Sequence, residues 1–151
     1  VKRADLDPLL AAAILARTHA YAPYSRYRVG AALLTGKGRV YSGCNVESSS
    51  FGATLCAERA AVAAMVVAGD RDPVACVVVT AGPQPASPCG ICRQVLSEFA
   101  VDMEVHLVAV GSRGNVLARG ESRLSALFPQ AFRFGQDRPA RATVAGRKRG
   151  G

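Results

Sequence analysis

The sequence predicts an α/β fold, a three-layer α-β-α sandwich on a five-stranded mixed sheet, and three observations carry that reading. Short apolar runs recur between turn signals at strand-like lengths. One of them, A-C-V-V-V-T-A at 75–81, shows no polar alternation, as a central strand covered on both faces requires. Stretches rich in helix formers lie between these runs rather than in a separate block, which places helices on the sheet faces.

In chain order, Asp7 and Pro8 read as an N-cap and first helical position, and Leu6, Leu9, Leu10, Ala13 and Ile14 then recur at helical spacing to about Thr18. The stretch Y-A-P-Y-S-R-Y ends that helix, and residues 29–34 and 40–45 flank T-G-K-G-R as a hairpin. A polar loop follows. C-A-E-R-A-A-V-A-A-M-V-V-A-G is a buried helix that stops at Gly69. After the strand at 75–81, Ser87 as N-cap and Pro88 as first helical residue open a helix to about Ala100.

The strand at 105–110 lies parallel to 75–81 if that helix is a right-handed crossover. Residues 111–115 are too few for another crossover, so 116–120 returns antiparallel. Residues 123–132 form a last short helix.

The chain has 151 residues, half of them apolar, enough for one core. The reading is one folded domain, 1–132, and a basic, disordered C-terminal tail, 133–151. That tail holds six Arg/Lys against one Asp, whereas the remainder holds thirteen against ten, so most of the net charge of +8 lies outside the domain. The charge is therefore weak support for nucleic-acid binding, and a polymer groove would also need stacking aromatics, which are few here. No apolar run spans a bilayer and the first residues lack a signal-peptide core, so a soluble, cytoplasmic protein is expected.

Five cysteines, an odd number with no export signal, favour metal or thiol chemistry over disulfides. Cys89 and Cys92 form a C-x-x-C, compatible alone with a zinc knuckle, a redox dithiol or part of a catalytic metal site. Cys56 opens the helix before strand 75–81, and the C-x-x-C opens the helix after it. Helices that follow neighbouring parallel strands start on the same sheet edge, so Cys56 can meet Cys89 and Cys92. Helix N-termini favour the thiolate that zinc needs, and three ligands leave the open position of a catalytic site.

Glu58 points at that position as a non-ligand proton carrier. Three thiolates on Zn(II) sum to minus one, and Arg59 is the cation that offsets this. A closed zinc site would need His19 or His106, and His106 reads as a satisfied strand histidine. Cys44 and Cys76 read as small core residues.

C-A-E-R followed by P-C-G-I-C-R-Q resembles the zinc-dependent nucleoside deaminases. Y-A-P-Y-S-R-Y-R-V-G-A-A-L, G-C-N-V-E and L-F-P-Q-A-F narrow the resemblance to the short, homotetrameric cytidine deaminases over about residues 5–132. It implies one zinc per subunit on Cys56, Cys89 and Cys92, with Glu58 as proton shuttle in converting cytidine and 2'-deoxycytidine to their uridine counterparts and ammonia, a step of pyrimidine salvage. It further implies that Ala57 meets the base edge, Asn45 and Glu47 bind a ribose hydroxyl, and Tyr27, where the family has Phe, lies against the sugar or base. Gln94 would orient Glu58, and Phe132 would close a neighbouring subunit's site.

Departures are Ser48 and Phe51 where the family has Asn and Tyr. Deamination of another aminopyrimidine nucleoside such as blasticidin S is the alternative, and Glu47 and Arg59, which the antibiotic deaminases do not keep, favour cytidine. A non-enzymatic zinc module binding nucleic acid is the reading from a different class; it predicts that Glu58→Gln leaves function intact.

Overall fold

A computed structural model describes residues 1–135; the expected tail falls outside the described residues from 136 onward. The elements are α1 (Arg3–Thr18), β1 (Gly30–Thr35), β2 (Val40–Cys44), a 3-10 turn (Phe51–Ala53), α2 (Ala57–Val67), β3 (Pro73–Ala81), α3 (Gly90–Ser97), β4 (Glu104–Val110), β5 (Val116–Arg123) and α4 (Leu124–Leu127). They form the expected five-stranded mixed sheet, in the order β2-β1-β3-β4-β5. The β3–β4 pair is parallel and the other pairs are antiparallel, and the short β1–β2 and β4–β5 links permit only an antiparallel return.

The unbroken apolar run in β3 is explained by what covers each side. Ala75, Val77 and Val79 pack with Leu9, Leu10 and Ala13 of α1, while Cys76 and Val78 pack with Ala61, Val62 and Met65 of α2 and Leu96 of α3. Burying a Leu or Met in such a layer stabilises the fold by about 1.5–3 kcal/mol. Two glycines let the helices close on the hairpin: a Cβ on Gly30 would stand 2.0 Å from the Ala13 carbonyl oxygen of α1, and one on Gly43 would stand 2.4 Å from the Ala61 nitrogen of α2. Among the described residues no helix is long and apolar enough to cross a membrane.

Four boundaries differ from expectation. Helix α1 starts at Arg3, after an extended Lys2, so Asp7 is not its cap and Pro8 lies inside it. Pro8 costs one backbone donor near the helix start, and burial of Leu9, Leu10 and Ala13 outweighs that loss. Helix α3 is capped by Cys89 rather than Ser87, because Cys89 is itself extended and leaves Pro88 outside; the helix ends at Ser97, short of Ala100. Strand β5 continues to Arg123 because Glu121, Ser122 and Arg123 find partners in β4. The last helix is then confined to Leu124–Leu127, since Phe128 precedes Pro129 and is held out of the helical region.

Candidate active site

Strands β2 and β3 are not neighbours, but both run antiparallel to the β1 between them and so point the same way. Helices α2 and α3, which follow them, therefore begin at the same edge. Cys56 is the N-cap of α2, Cys89 is the N-cap of α3, and Cys92 lies in the first turn of α3. The Sγ atoms of Cys56 and Cys89 are 3.9 Å apart, and all three sulfurs lie within 4.8 Å of one another. Ligands at about 2.3 Å from a tetrahedral zinc stand under 4 Å apart, so the donor set and its spacing fit that ion.

The thiols share their protons unequally. Cys56 is pushed down to about 5, chiefly by a hydrogen bond from Cys92, with Arg59 and Cys89 adding to it. Cys92 is pushed up, because it keeps the proton it donates to Cys56 and is desolvated. Arg59 Nη2 donates to the Thr54 carbonyl oxygen at 2.6 Å and lies 3.8 Å from Cys56 Sγ, where a cation offsets thiolate charge. Its Nε is buried with no acceptor among the described residues.

Glu58 is 4 % exposed, in the first turn of α2. Burial pushes its carboxyl up, and the Cys56 charge pushes it the same way. A raised carboxyl gives and takes protons nearer neutral pH.

A cleft of about 270 Å³ opens beside the cysteines, and Tyr27, Asn45, Glu47, Cys56, Ala57, Glu58 and Cys89 all line it. Asn45 Oδ1 accepts the Val29 N–H at 2.8 Å and its Nδ2 donates to the Tyr27 carbonyl oxygen at 2.9 Å. Glu47 accepts the Tyr24 N–H at 2.9 Å, the Ser25 N–H at 3.2 Å and the Ser25 hydroxyl. These donors, the hydroxyl first, hold its carboxyl below the usual carboxylate range. In the free protein both side chains thus also organise the loop before β1.

Two expected site residues lie outside this cleft. Gln94 does not line the cleft; its Nε2 donates to Glu98 Oε1 at 3.0 Å and to the Phe132 carbonyl oxygen at 2.8 Å. It is two residues from Cys92, about 200° around the helix, so when Cys92 faces the sulfur cluster Gln94 faces away from Glu58. Phe132 is 64 % exposed and outside its own chain's cleft. His106, in β4, is half-buried and pairs with Glu104 at 3.1 Å. Cys76 is fully buried and Cys44 is half-buried.

Sequence reasoning passed over Ser25 and Arg93. Ser25 lines the cleft and bonds Glu47. Arg93 ties the start of α3 in place, its Nε donating to the Pro88 carbonyl oxygen and its Nη1 to that of Leu127, both at 2.8 Å. Both residues stand within the quoted motifs, but only three-dimensional contacts reveal their partners.

Residues 4–123 match the family described as cytidine and deoxycytidylate deaminase zinc-binding region. The chain is 48 % identical over 133 residues to a cytidine deaminase of Mycobacterium tuberculosis, covering 85 % of this chain and 90 % of that protein. It is 44 % identical over 129 residues to one of Halalkalibacterium halodurans, covering 85 % and 94 %. The crystal structure of cytidine deaminase from Burkholderia pseudomallei superposes with a TM-score of 0.74 at 43 % identity, covering 83 % of this chain and 98 % of that one. With a buried glutamate set beside three clustered thiols on this sheet, the chain belongs to the cytidine deaminase family of hydrolytic deaminases.

Proposed function

We propose that the protein hydrolyses cytidine and 2'-deoxycytidine to uridine and 2'-deoxyuridine with release of ammonia, serving pyrimidine salvage, and holds one zinc ion per subunit on Cys56, Cys89 and Cys92. The observation that carries this reading is that buried Glu58 and two thiols of the sulfur cluster, Cys56 and Cys89, line one cleft together with Asn45 and Glu47.

When bound, zinc supplies Lewis acidity that brings the ionisation of a water near neutral pH. Glu58 moves the protons. It takes one from the water that adds to C4, delivers it to N3, and delivers the second to the amino group. The C4–N4 bond then breaks, ammonia leaves and the C4 carbonyl forms. Arg59 beside Cys56 offsets the excess negative charge of three thiolates. Asn45 and Glu47 hold a sugar hydroxyl, the Tyr27 ring covers the sugar or base, and the Ala57 backbone meets the base edge.

Phe132 is exposed and does not line its own chain's cleft, which suits closure of a neighbouring subunit's site in a homotetramer. The test is loss of ultraviolet absorbance on incubating zinc-loaded protein with cytidine, 2'-deoxycytidine and blasticidin S in parallel, with assembly mass measured by light scattering. Turnover of the first two supports the assignment. Turnover of neither overturns it.

A further inference from the structure

We propose that Ser25 is a positioning residue for the substrate's sugar, aiming the Glu47 carboxylate so that one acceptor position is left for a sugar hydroxyl; this rests on the assignment of Glu47 to the sugar. An ionised carboxylate offers about four acceptor positions. The N–H groups of Tyr24 and Ser25 occupy Glu47 Oε2, at 2.9 and 3.2 Å, and the Ser25 hydroxyl occupies one position on Oε1. One position on Oε1 remains, and Ser25 is what fixes its direction.

The Ser25 hydroxyl has a second partner. Its Oγ accepts the Tyr27 N–H at 3.0 Å, while the Tyr27 carbonyl oxygen is held by Asn45 Nδ2 at 2.9 Å. Glu47, Ser25, Tyr27 and Asn45 thus form one hydrogen-bonded chain along the cleft wall. Between Ser25 and Tyr27, Arg26 has φ +58°, the left-handed region that costs a residue with a Cβ free energy. The side-chain turn from Ser25 to the Tyr27 N–H spans that residue. Ser25 is exposed, outside the core, and its hydroxyl bonds to the cleft residues Glu47 and Tyr27. Losing it leaves the core untouched and frees Glu47 to pivot about the Oε2 bonds.

The experiment compares 2'-deoxycytidine with 2',3'-dideoxycytidine, which differ only in the 3'-hydroxyl, across the unmodified protein, Ser25→Ala, Ser25→Thr and Glu47→Gln. Thermal unfolding is recorded for each. In the unmodified protein the preference for the hydroxyl-bearing substrate is expected to be large. Ser25→Ala is expected to cut that preference about tenfold, chiefly by raising KM for 2'-deoxycytidine, as loss of a charge-assisted hydrogen bond would. Ser25→Thr restores it.

A Ser25→Ala protein that keeps the preference while Glu47→Gln loses it overturns the role of Ser25 alone. Equal losses on both substrates also overturn it, because a structural defect does not distinguish a hydroxyl. A preference unchanged in Glu47→Gln overturns the assignment of Glu47 to the 3'-hydroxyl, and this inference with it.

Discussion

The seat of α2 on β2 decides where Cys56 and Glu58 stand, and Gly43→Ala tests it. The added Cβ would lie 2.4 Å from the Ala61 nitrogen and 2.7 Å from both the Ala57 carbonyl oxygen and the Ala60 Cβ. Two of these are helix backbone atoms, so no side chain can turn aside. Restoring an ordinary contact of 3.4 Å from 2.4 Å moves α2 off the sheet by about 1 Å.

Cys56 caps that helix and Glu58 is in its first turn, so both are carried with it, whereas Cys89 and Cys92 stay with α3. Overpacking of this kind costs about 1–3 kcal/mol. At about 2–4 °C per kcal/mol for a chain of this size, Tm falls by about 2–12 °C. A displacement of about 1 Å in the reacting groups lowers kcat/KM about 100-fold.

The assay is thermal unfolding together with cytidine turnover well below both transitions. Gly120→Ala is the control, since its Cβ would meet only Pro85 Cγ at 3.6 Å and Leu107 Cβ at 3.8 Å. A Gly43→Ala protein with unchanged Tm and unchanged kcat/KM refutes the reasoning.

Glu58→Gln should lower kcat by about 10²–10⁴ while bound zinc, read by atomic absorption, stays constant; parallel loss of zinc would make Glu58 a ligand instead. Arg93→Ala frees the Pro88 and Leu127 carbonyls and should weaken zinc retention about 10- to 100-fold in chelator competition, with unchanged retention as the contrary result. Asp102 is held down to about 2 by hydrogen bonds from Arg123 and Ser125, below its ordinary 3.8. Its contribution is therefore present above about pH 4 and fades as pH falls toward 2. Denaturant titrations of Asp102→Asn and the unmodified protein should converge over that range; a gap independent of pH would contradict this.

Much of the fold was legible because its signals are local. The apolar run of β3, the short link between β4 and β5 and the helix-forming stretch of α2 each correspond to an element at nearly the expected place. Helix boundaries were less legible. Pro8 and Pro88 look like first helical residues in one dimension, but burial of Leu9 and Ala13 draws α1 past one, and the extended Cys89 excludes the other. The convergence of the three thiols was also legible, although the route differs: the helices follow strands separated by β1 rather than adjacent ones.

The sequence by itself determined the chemistry this chain can carry, because residue type and spacing decide that three thiols and a carboxyl stand at helix starts. The tertiary structure decided which neighbours act on them. It turned Gln94 outward to Phe132, brought Ser25 onto Glu47, and joined Arg93 to Leu127. Such contacts depend on side-chain direction and on segments joined across the sheet, and periodicity along a single chain encodes neither.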